Sequence, residues 1–338
     1  MLTFDQLAAQ LKEQSGKKVV IVSHRSPDGD SIGSSLGLYH FLKSLNYKVT
    51  VATPDPAPAF LSWLEGFDQI VNFEKHREET LTAIAEANYI FCLDFNTLVR
   101  SASLEQPIRK NKEAVWVNLD HHQEPDDFAD YQWSDITASS TAEIVYQFVE
   151  QVLGKAFENE AYANCIYTGI LTDTGSFRFS STSAKTHRIA ADLVEFGADP
   201  TFIHSQVYDS YSPDRLKLLG FALHEKLTLL PQFHTAIIAL TEKDLQRFNF
   251  QKGDTEGLVN FPLSIKEVNM AILITEKDGK VKMSFRSKGN FAVNQLSGRY
   301  FNGGGHLNAA GGISKVDVPK TVEQIVEILP EYEAELNF

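Results

Sequence analysis

Lys18–Leu45 reads KVVIVSHRSPDGDSIGSSLGLYHFLKSL, and its two halves follow different periods. Lys18–Ser23 is a short β-rich run, as in a buried strand, whereas Ile32, Leu36, Tyr39, Leu42 and Leu45 recur at helical spacing. A strand, a polar turn and a helix make half of a strand–helix–strand unit, and the first half of the chain repeats the pattern. Lys48–Thr53, Tyr89–Leu93 and Val115–Leu119 read as further buried strands, with helical stretches near Glu78–Ala87 and Thr141–Leu153. Strands separated by helices of this length imply right-handed crossovers and a mostly parallel sheet flanked by helices. Ligands of such sheets sit outside the carboxyl ends of the strands.

Helical patterns continue through Ala161–Leu171 and Lys185–Phe196, and the pattern changes after GADP at Gly197–Pro200. Pro213–Leu230 predicts one amphipathic helix. Strands are expected at Thr235–Leu240, Val268–Thr275 and Val281–Arg286, with a closing helix near Thr321–Leu329. The expected organisation is a first α/β domain over residues 1–197, a linker and connecting helix over 198–230, and a smaller C-terminal α/β domain over 231–338.

Composition excludes several classes. The 338 residues are 43% hydrophobic and contain 23 Phe, 11 Tyr and 3 Trp, enough to build two cores and too apolar for disorder. Cys92 and Cys165 cannot form a disulfide framework and are expected as buried thiols. The opening MLTFDQLAAQLKEQSGKK lacks the order of a signal peptide, and no run of about 18 apolar residues exists, so a cytoplasmic protein without membrane contact is expected. With 31 basic against 44 acidic side chains the net charge is −13, which disfavours duplex nucleic acid. The charge is uneven. From Gly279 to Val316 there are six basic residues and no acidic one, where average density would place about five carboxylates. That window is either a solvated face or a local anion site.

Acids and histidines fall where strands end. The first strand runs into His24, Asp28 and Asp30; YIFCL delivers Asp94; VWVNL delivers Asp120, His121 and His122; and a helical segment runs into TDTGSFRF, which carries Asp173. One aspartate before a helix is usually a cap. Three strands ending this way on one edge of a parallel sheet are harder to explain as caps. Asp28, Asp30, Asp94 and Asp173 brought together could not all stay ionised without a cation. Four carboxylates and two imidazoles suit two metals sharing a bridging carboxylate, and this mixed set favours Mn²⁺ over Mg²⁺ or Ca²⁺. Metals about 3.5–4 Å apart are the usual apparatus for hydrolysing phosphate esters.

A second signal is FNGGGHLNAAGG, Phe301–Gly312. Its glycines let backbone N–H groups approach a ligand, and NAA can begin a helix whose amino end attracts an anion. A flexible loop is the plainer alternative, but the segment lies in the acid-free window between Arg286 and Lys315. Phe285, Phe291, Tyr300 and Phe301 could stack on a base there, although such residues are more often core.

These motifs resemble those of the DHH phosphoesterase superfamily, in the subgroup with the DHH-associated C-terminal domain. HRSPDGDSIGS, CLDFN, Asp120–His122, TDTGSFRF and GGGHLNAAGG occur in the family order and span nearly the whole chain. The resemblance implies an active site in an interdomain cleft, with one Mn²⁺ on His24, Asp28 and Asp94 and a second on Asp30, Asp94, His121 and Asp173. Mg²⁺ or Co²⁺ would be substitutes. Asp94 would bridge, His122 would contact the scissile phosphate, and Asp120 would orient its neighbours. Arg286, Gly303, Gly304, Gly305 and His306 would hold another phosphate or the nucleotide end. Arg178 is either a phosphate contact or a structural ion pair. The SRKKQ-type signature of family II pyrophosphatases, the extra modules of RecJ-type exonucleases and the membrane segments of membrane-anchored cyclic-dinucleotide phosphodiesterases are all absent. What remains resembles the group of oligoribonucleases (nanoRNases) that also dephosphorylate 3′-phosphoadenosine 5′-phosphate (pAp). The expected partners are short single-stranded oligoribonucleotides or small phosphorylated nucleotides, and a homodimer is compatible. Cyclic di-AMP or linear pApA is the alternative substrate class. A nucleotide-binding module without turnover is the alternative outside enzymes.

Overall fold

The computed structural model describes residues 3–251 and 253–337, which form two compact units dividing between Ser210 and Tyr211. In the first unit, six parallel strands are β1 (Lys18–Val22), β2 (Lys48–Thr53), β3 (Ile70–Asn72), β4 (Tyr89–Leu93), β5 (Val115–Asp120) and β6 (Tyr131–Ser134). Their spatial order is β3-β2-β1-β4-β5-β6, so the three strands that end in His or Asp are consecutive neighbours. The helices of this unit are α1 (Phe4–Glu13), α2 (Gly29–Ser44), α3 (Arg77–Ala85), α4 (Glu105–Lys110), α5 (Thr141–Leu153), α6 (Glu160–Asp173), α7 (Ala184–Glu195) and α8 (Pro200–Tyr208).

The strands read as unbroken apolar runs because both faces are covered. Val19 and Ile21 pack with Leu36, Phe148 and Ile166 on the face covered by α2, α5 and α6. Val20 and Val22 pack with Ile84 of α3 and Ile108 of α4 on the other. Covering both faces leaves the strand ends as the place where polar residues converge.

Helices α2 and α6 lie antiparallel and unusually close. A Cβ on Gly29 would fall 2.4 Å from Thr172 Oγ1; one on Gly33 would fall 2.5 Å from the Cys165 carbonyl oxygen; one on Gly37 would fall 2.5 Å from Ile166 Cδ1. Glycines four apart fall on one helix face, so this stripe lets α6 press against α2 along its length. Asp30 begins one helix and Asp173 ends the other, so the stripe brings the two carboxylates to the same edge.

The second unit contains α9 (Pro213–Glu225), β7 (Leu227–Leu230), β8 (Thr235–Leu240), α10 (Glu242–Arg247), β9 (Met270–Lys277), β10 (Lys280–Ser287), α11 (Val293–Phe301), β11 (Gly304–His306), β12 (Ala309–Ser314) and α12 (Val318–Ile328). Its sheet has the order β11-β12-β10-β9-β8-β7, with β8 and β9 parallel and the other pairs antiparallel. One face packs on α11 and α12 through Ile272, Phe285, Leu296 and Ile325, and the other packs on α9 through Phe221, Ile238 and Leu273.

Two expectations are corrected here. Pro213–Leu230 is not one helix: α9 stops at Glu225, and Leu227–Leu230 is an edge strand paired with Ile238–Thr235. The apolar pattern fits both periods over so short a run, and the ladder offered by β8 decides it. The 198–230 segment is therefore shared, with α8 in the first unit and α9 with β7 in the second. Asn308–Ala310 does not begin a helix either; β11 and β12 form a hairpin turning at Leu307 and Asn308. Its glycines serve close chain-to-chain approach: a Cβ on Gly303 would fall 1.8 Å from Ser297 Oγ and 1.9 Å from the Gly311 carbonyl oxygen.

Candidate metal centre

At the carboxyl edge of the first sheet, β1 delivers His24, β4 delivers Asp94, and β5 delivers Asp120 with His121 and His122. His24 Nδ1–H donates to the Arg25 carbonyl at 2.7 Å, which leaves Nε2 facing Asp94 Oδ2 at 3.1 Å. Asp28 caps α2, accepting from the Ser31 amide at 3.0 Å, so the cap reading and the metal reading of this residue coexist. Asp30 lies at the amino end of α5, where the amides of Thr141 and Ala142 donate to its two oxygens at 2.7 and 2.9 Å. Asp173 ends α6, with Oδ2 3.5 Å from His121 Nε2.

Asp94 is the junction. Its φ is +66°, a left-handed value that a non-glycine residue adopts at a cost. The Leu119 carbonyl holds it there by accepting its amide at 3.1 Å. One ligand atom each of His24, Asp28 and Asp94 lie within 4.8 Å of one another; so do those of Asp30, Asp94 and His121, and those of Asp94, Asp120 and His122. Asp94 is common to all three groups. His122 Nδ1–H donates to Asp120 Oδ1 at 2.7 Å, which fixes the imidazole ring.

Electrostatics follow from crowding acids in a buried place. Asp30 is pushed well above the usual carboxylate range by burial and by the charges of Asp94, Asp173 and Asp28. Asp173 is pushed up to about 6, by burial and the charges of Asp28 and Asp94 acting against His121. For Asp94 burial acts upward, but the hydrogen bond and charge of His24 with the charges of His122 and His121 hold it well below the usual range. Burial would lower His24, yet the hydrogen bond and charge of Asp94 and the charge of Asp28 raise it to about 9. Burial also opposes the imidazolium at His121, and the charges of Asp173, Asp94 and Asp120 outweigh it and raise the group. Asp120 Oδ2 is fully buried with no hydrogen-bond partner among the described residues. The donor set therefore fits divalent cations, which would relieve the repulsion among these buried carboxylates.

Thr141 was missed as a site residue by sequence reasoning. Its amide holds Asp30, and its hydroxyl donates to Asp94 Oδ1 at 3.0 Å. The signal was SSTAE at Ser139–Glu143, a capped helix start that reads as local structure only.

In the second unit, Arg286 of β10 pairs with Ala309 of β12, which pairs with His306 of β11, so arginine and histidine share one row across three strands. Arg286 Nη1 donates to the Phe285 carbonyl at 3.0 Å, Gly304 and Gly305 lie in β11, and Gly303 precedes it. The acid-free window is partly committed: Arg299 pairs with Glu331 at 3.4 Å, and Lys288 donates to the Ile265 carbonyl. Phe285, Phe291 and Phe301 are core residues rather than stacking platforms, and the Tyr300 hydroxyl donates to Glu331. Arg178 makes no ion pair among the described residues; its Nε–H donates to the Gly175 carbonyl at 2.8 Å.

Comparison with known proteins fits this picture. The DHH family, N-terminal domain, matches residues 18–170, and the DHHA1 domain matches 232–335. The chain is 28% identical to the bifunctional oligoribonuclease and PAP phosphatase NrnA of Thermus thermophilus, over 96% of this chain and 93% of that one. It is 27% identical to NrnA of Bacillus subtilis, over 87% and 88%. A crystal structure of an exopolyphosphatase-related protein from Bacteroides fragilis superposes with a TM-score of 0.94 at 37% identity, covering 99% of this chain and 98% of that one.

Proposed function

The chain belongs to the DHH family, with a DHHA1 domain behind the DHH domain, and on that premise we propose that it hydrolyses short oligoribonucleotides to mononucleotides and pAp to AMP and phosphate. The observation that carries this reading is the junction at Asp94, where three His/Asp groups, each with at least two buried members, share one carboxylate. The similarity to the two NrnA proteins, over most of both chains, supports the substrate class.

We assign His24, Asp28 and Asp94 to one divalent ion and Asp30, Asp94, His121 and Asp173 to a second, with Mn²⁺ the preferred ion for this mixed nitrogen and oxygen set. Such ions supply Lewis acidity at a phosphoryl oxygen and lower the pKa of water. The protein's own groups do the placing. Asp94, held left-handed by Leu119, presents one oxygen toward His24 and the other toward His121 and the Thr141 hydroxyl. Thr141 and Ala142 fix Asp30 so that its carboxylate cannot swing away from the cluster. Asp120 accepts the Nδ1 proton of His122, which makes Nε2 the edge that contacts the scissile phosphate. In the second unit, Arg286 and the 303–306 segment hold a further phosphate or the nucleotide end, and the acid-free window suits ligands carrying few phosphates.

A panel of pAp, di- to pentaribonucleotides, linear pApA and cyclic di-AMP with added Mn²⁺ tests the reading. Release of phosphate from pAp and mononucleotides from the short oligomers is expected. Preferential turnover of cyclic di-AMP would replace this substrate class, and binding without turnover of any of them would remove the enzymatic reading.

A further inference from the structure

We propose that the turn following Asp173 is a preset phosphate arm, in which Arg178 grips a substrate phosphate and the Ser176–His204 pair holds the arm in shape. That the ligand is a phosphate ester rests on the function proposed above. Gly175, Ser176 and Phe177 have φ of +55°, +64° and +62°, three successive left-handed residues of which two carry side chains. Such a run is costly for L-residues and persists only where the surroundings impose it.

The surroundings are visible. The Ser176 amide donates to the Leu171 carbonyl at 2.8 Å, and the Phe177 amide donates to Thr174 Oγ1 at 3.0 Å, tying the turn to the end of α6. The Phe177 ring stacks on His187 of α7 at 5.4 Å and meets Tyr167 edge-on. From α8, His204 Nδ1 lies 2.7 Å from the Pro200 carbonyl and Nε2 lies 3.0 Å from Ser176 Oγ. A carbonyl can only accept, so Nδ1 carries a proton; in the neutral ring Nε2 is then the acceptor and the Ser176 hydroxyl donates. Gly175 also leaves room for the Phe179 ring, which a Cβ there would meet at 2.5 Å.

What this scaffold presents is Arg178. Its amide donates to the Thr174 carbonyl at 3.0 Å and its Nε–H to the Gly175 carbonyl at 2.8 Å, so the guanidinium is anchored by one edge. Among the described residues no acceptor meets either Nη nitrogen. The remaining edge offers two parallel N–H donors, the geometry that matches two oxygens of a phosphate. Anchoring Nε in advance lowers the entropy lost when the anion binds. The arm starts on the residue after Asp173, so the metal ligand and the phosphate donor share one short, rigid segment.

The test uses the Mn²⁺-loaded protein and two readouts, the Kd of inorganic phosphate by calorimetry and the KM for pAp. Arg178→Ala is expected to raise both about tenfold or more, as the loss of a charge-assisted contact should, with metal content and Tm unchanged. Arg178→Lys should recover only part, because a point charge lacks the paired donors. His204→Ala should shift both readouts in the same direction, while His204→Gln, which keeps an acceptor within reach, should recover them. His204→Ala should add nothing in the Arg178→Ala background, since it acts through that residue. Unchanged phosphate affinity and KM in Arg178→Ala would overturn the arm. Additive losses, or metal lost in His204→Ala, would overturn the role of the strap. If wild type turns over neither pAp nor oligonucleotides, the proposed function fails, while phosphate affinity still scores the arm separately.

Discussion

At Asp94 the backbone turns left-handed immediately after β4, which carries the carboxylate from the strand direction into the middle of three histidines. Asp94→Asn keeps the shape and removes the charge. It should abolish nearly all turnover and cost at least one bound metal; two full equivalents of tightly bound Mn²⁺ in an inactive variant, by elemental analysis, would contradict the bridging role. His24 gives a prediction in pH. Raised to about 9, it is protonated at neutrality without metal, and only the neutral ring can ligate. Metal binding near pH 7.5 should therefore release protons, measurable by calorimetry in buffers of different ionisation enthalpy, and apparent affinity should climb until about pH 9. The stability consequence has a definite sign. A raised histidine contributes fully below its unfolded value near 6.5, and that contribution is lost as pH rises through about 9. Asp173, raised to about 6, adds a loss in the same direction between about 4 and 6. Metal-free protein should melt at progressively lower temperature from about pH 6 to pH 9, and saturating Mn²⁺ should suppress the trend. A metal-free Tm that rises over this range would refute the assignment.

Helices α2 and α6 set the spacing of the site through close packing at their glycines. A Cβ on Gly169 would fall 2.6 Å from Ala142 Cβ and 2.9 Å from Asp30 Oδ1, and one on Gly33 would strike the α6 backbone. Gly33→Ala and Gly169→Ala should each destabilise by about 1–3 kcal/mol through overpacking, read as a shift of the denaturation midpoint. Gly169→Ala should also weaken metal binding, because it displaces Asp30 itself. Gly154→Ala at the left-handed end of α5, where no atom lies within 4 Å, is the control that should leave metal affinity intact. Equal metal affinity in Gly169→Ala and wild type would separate the helix packing from the site.

The Asp94 cluster lies in the first unit and the row from Arg286 to His306 in the second, and the function proposed above assigns metal binding to the one and a substrate phosphate to the other. Arg286→Ala removes a permanently charged planar donor. It should raise KM for pAp and dinucleotides about tenfold or more while leaving metal content unchanged. Bis-p-nitrophenyl phosphate, with one phosphate and no second anchor, should be hydrolysed poorly by both proteins and respond little. Equal loss on both kinds of substrate would place Arg286 at the reacting phosphate instead. On the function proposed above, the net charge of −13 should favour short substrates, since each added phosphate meets an unfavourable field unless a local cation receives it.

Periodicity alone located β2, β4, β8 and α5 to the residue and placed the chemistry-bearing residues at strand ends, because a strand buried on both faces leaves an uninterrupted apolar run and an abrupt polar stop. Periodicity failed at Leu227–Leu230, where four residues fit either period and the neighbouring strand decides, and the helix start expected at Asn308–Ala310 gave way to a hairpin. It also saw the glycines of α2 only as part of a polar motif. Their spacing of four acquires meaning once α6 lies against them, just as Thr141 becomes a site residue only when folding brings its amide to Asp30, 111 positions away. Local propensity and burial are written along the chain, residue by residue. The distance between two carboxylates, the left-handed turn at Asp94 and the strap from His204 to Ser176 arise between segments far apart in sequence, and packing sets them.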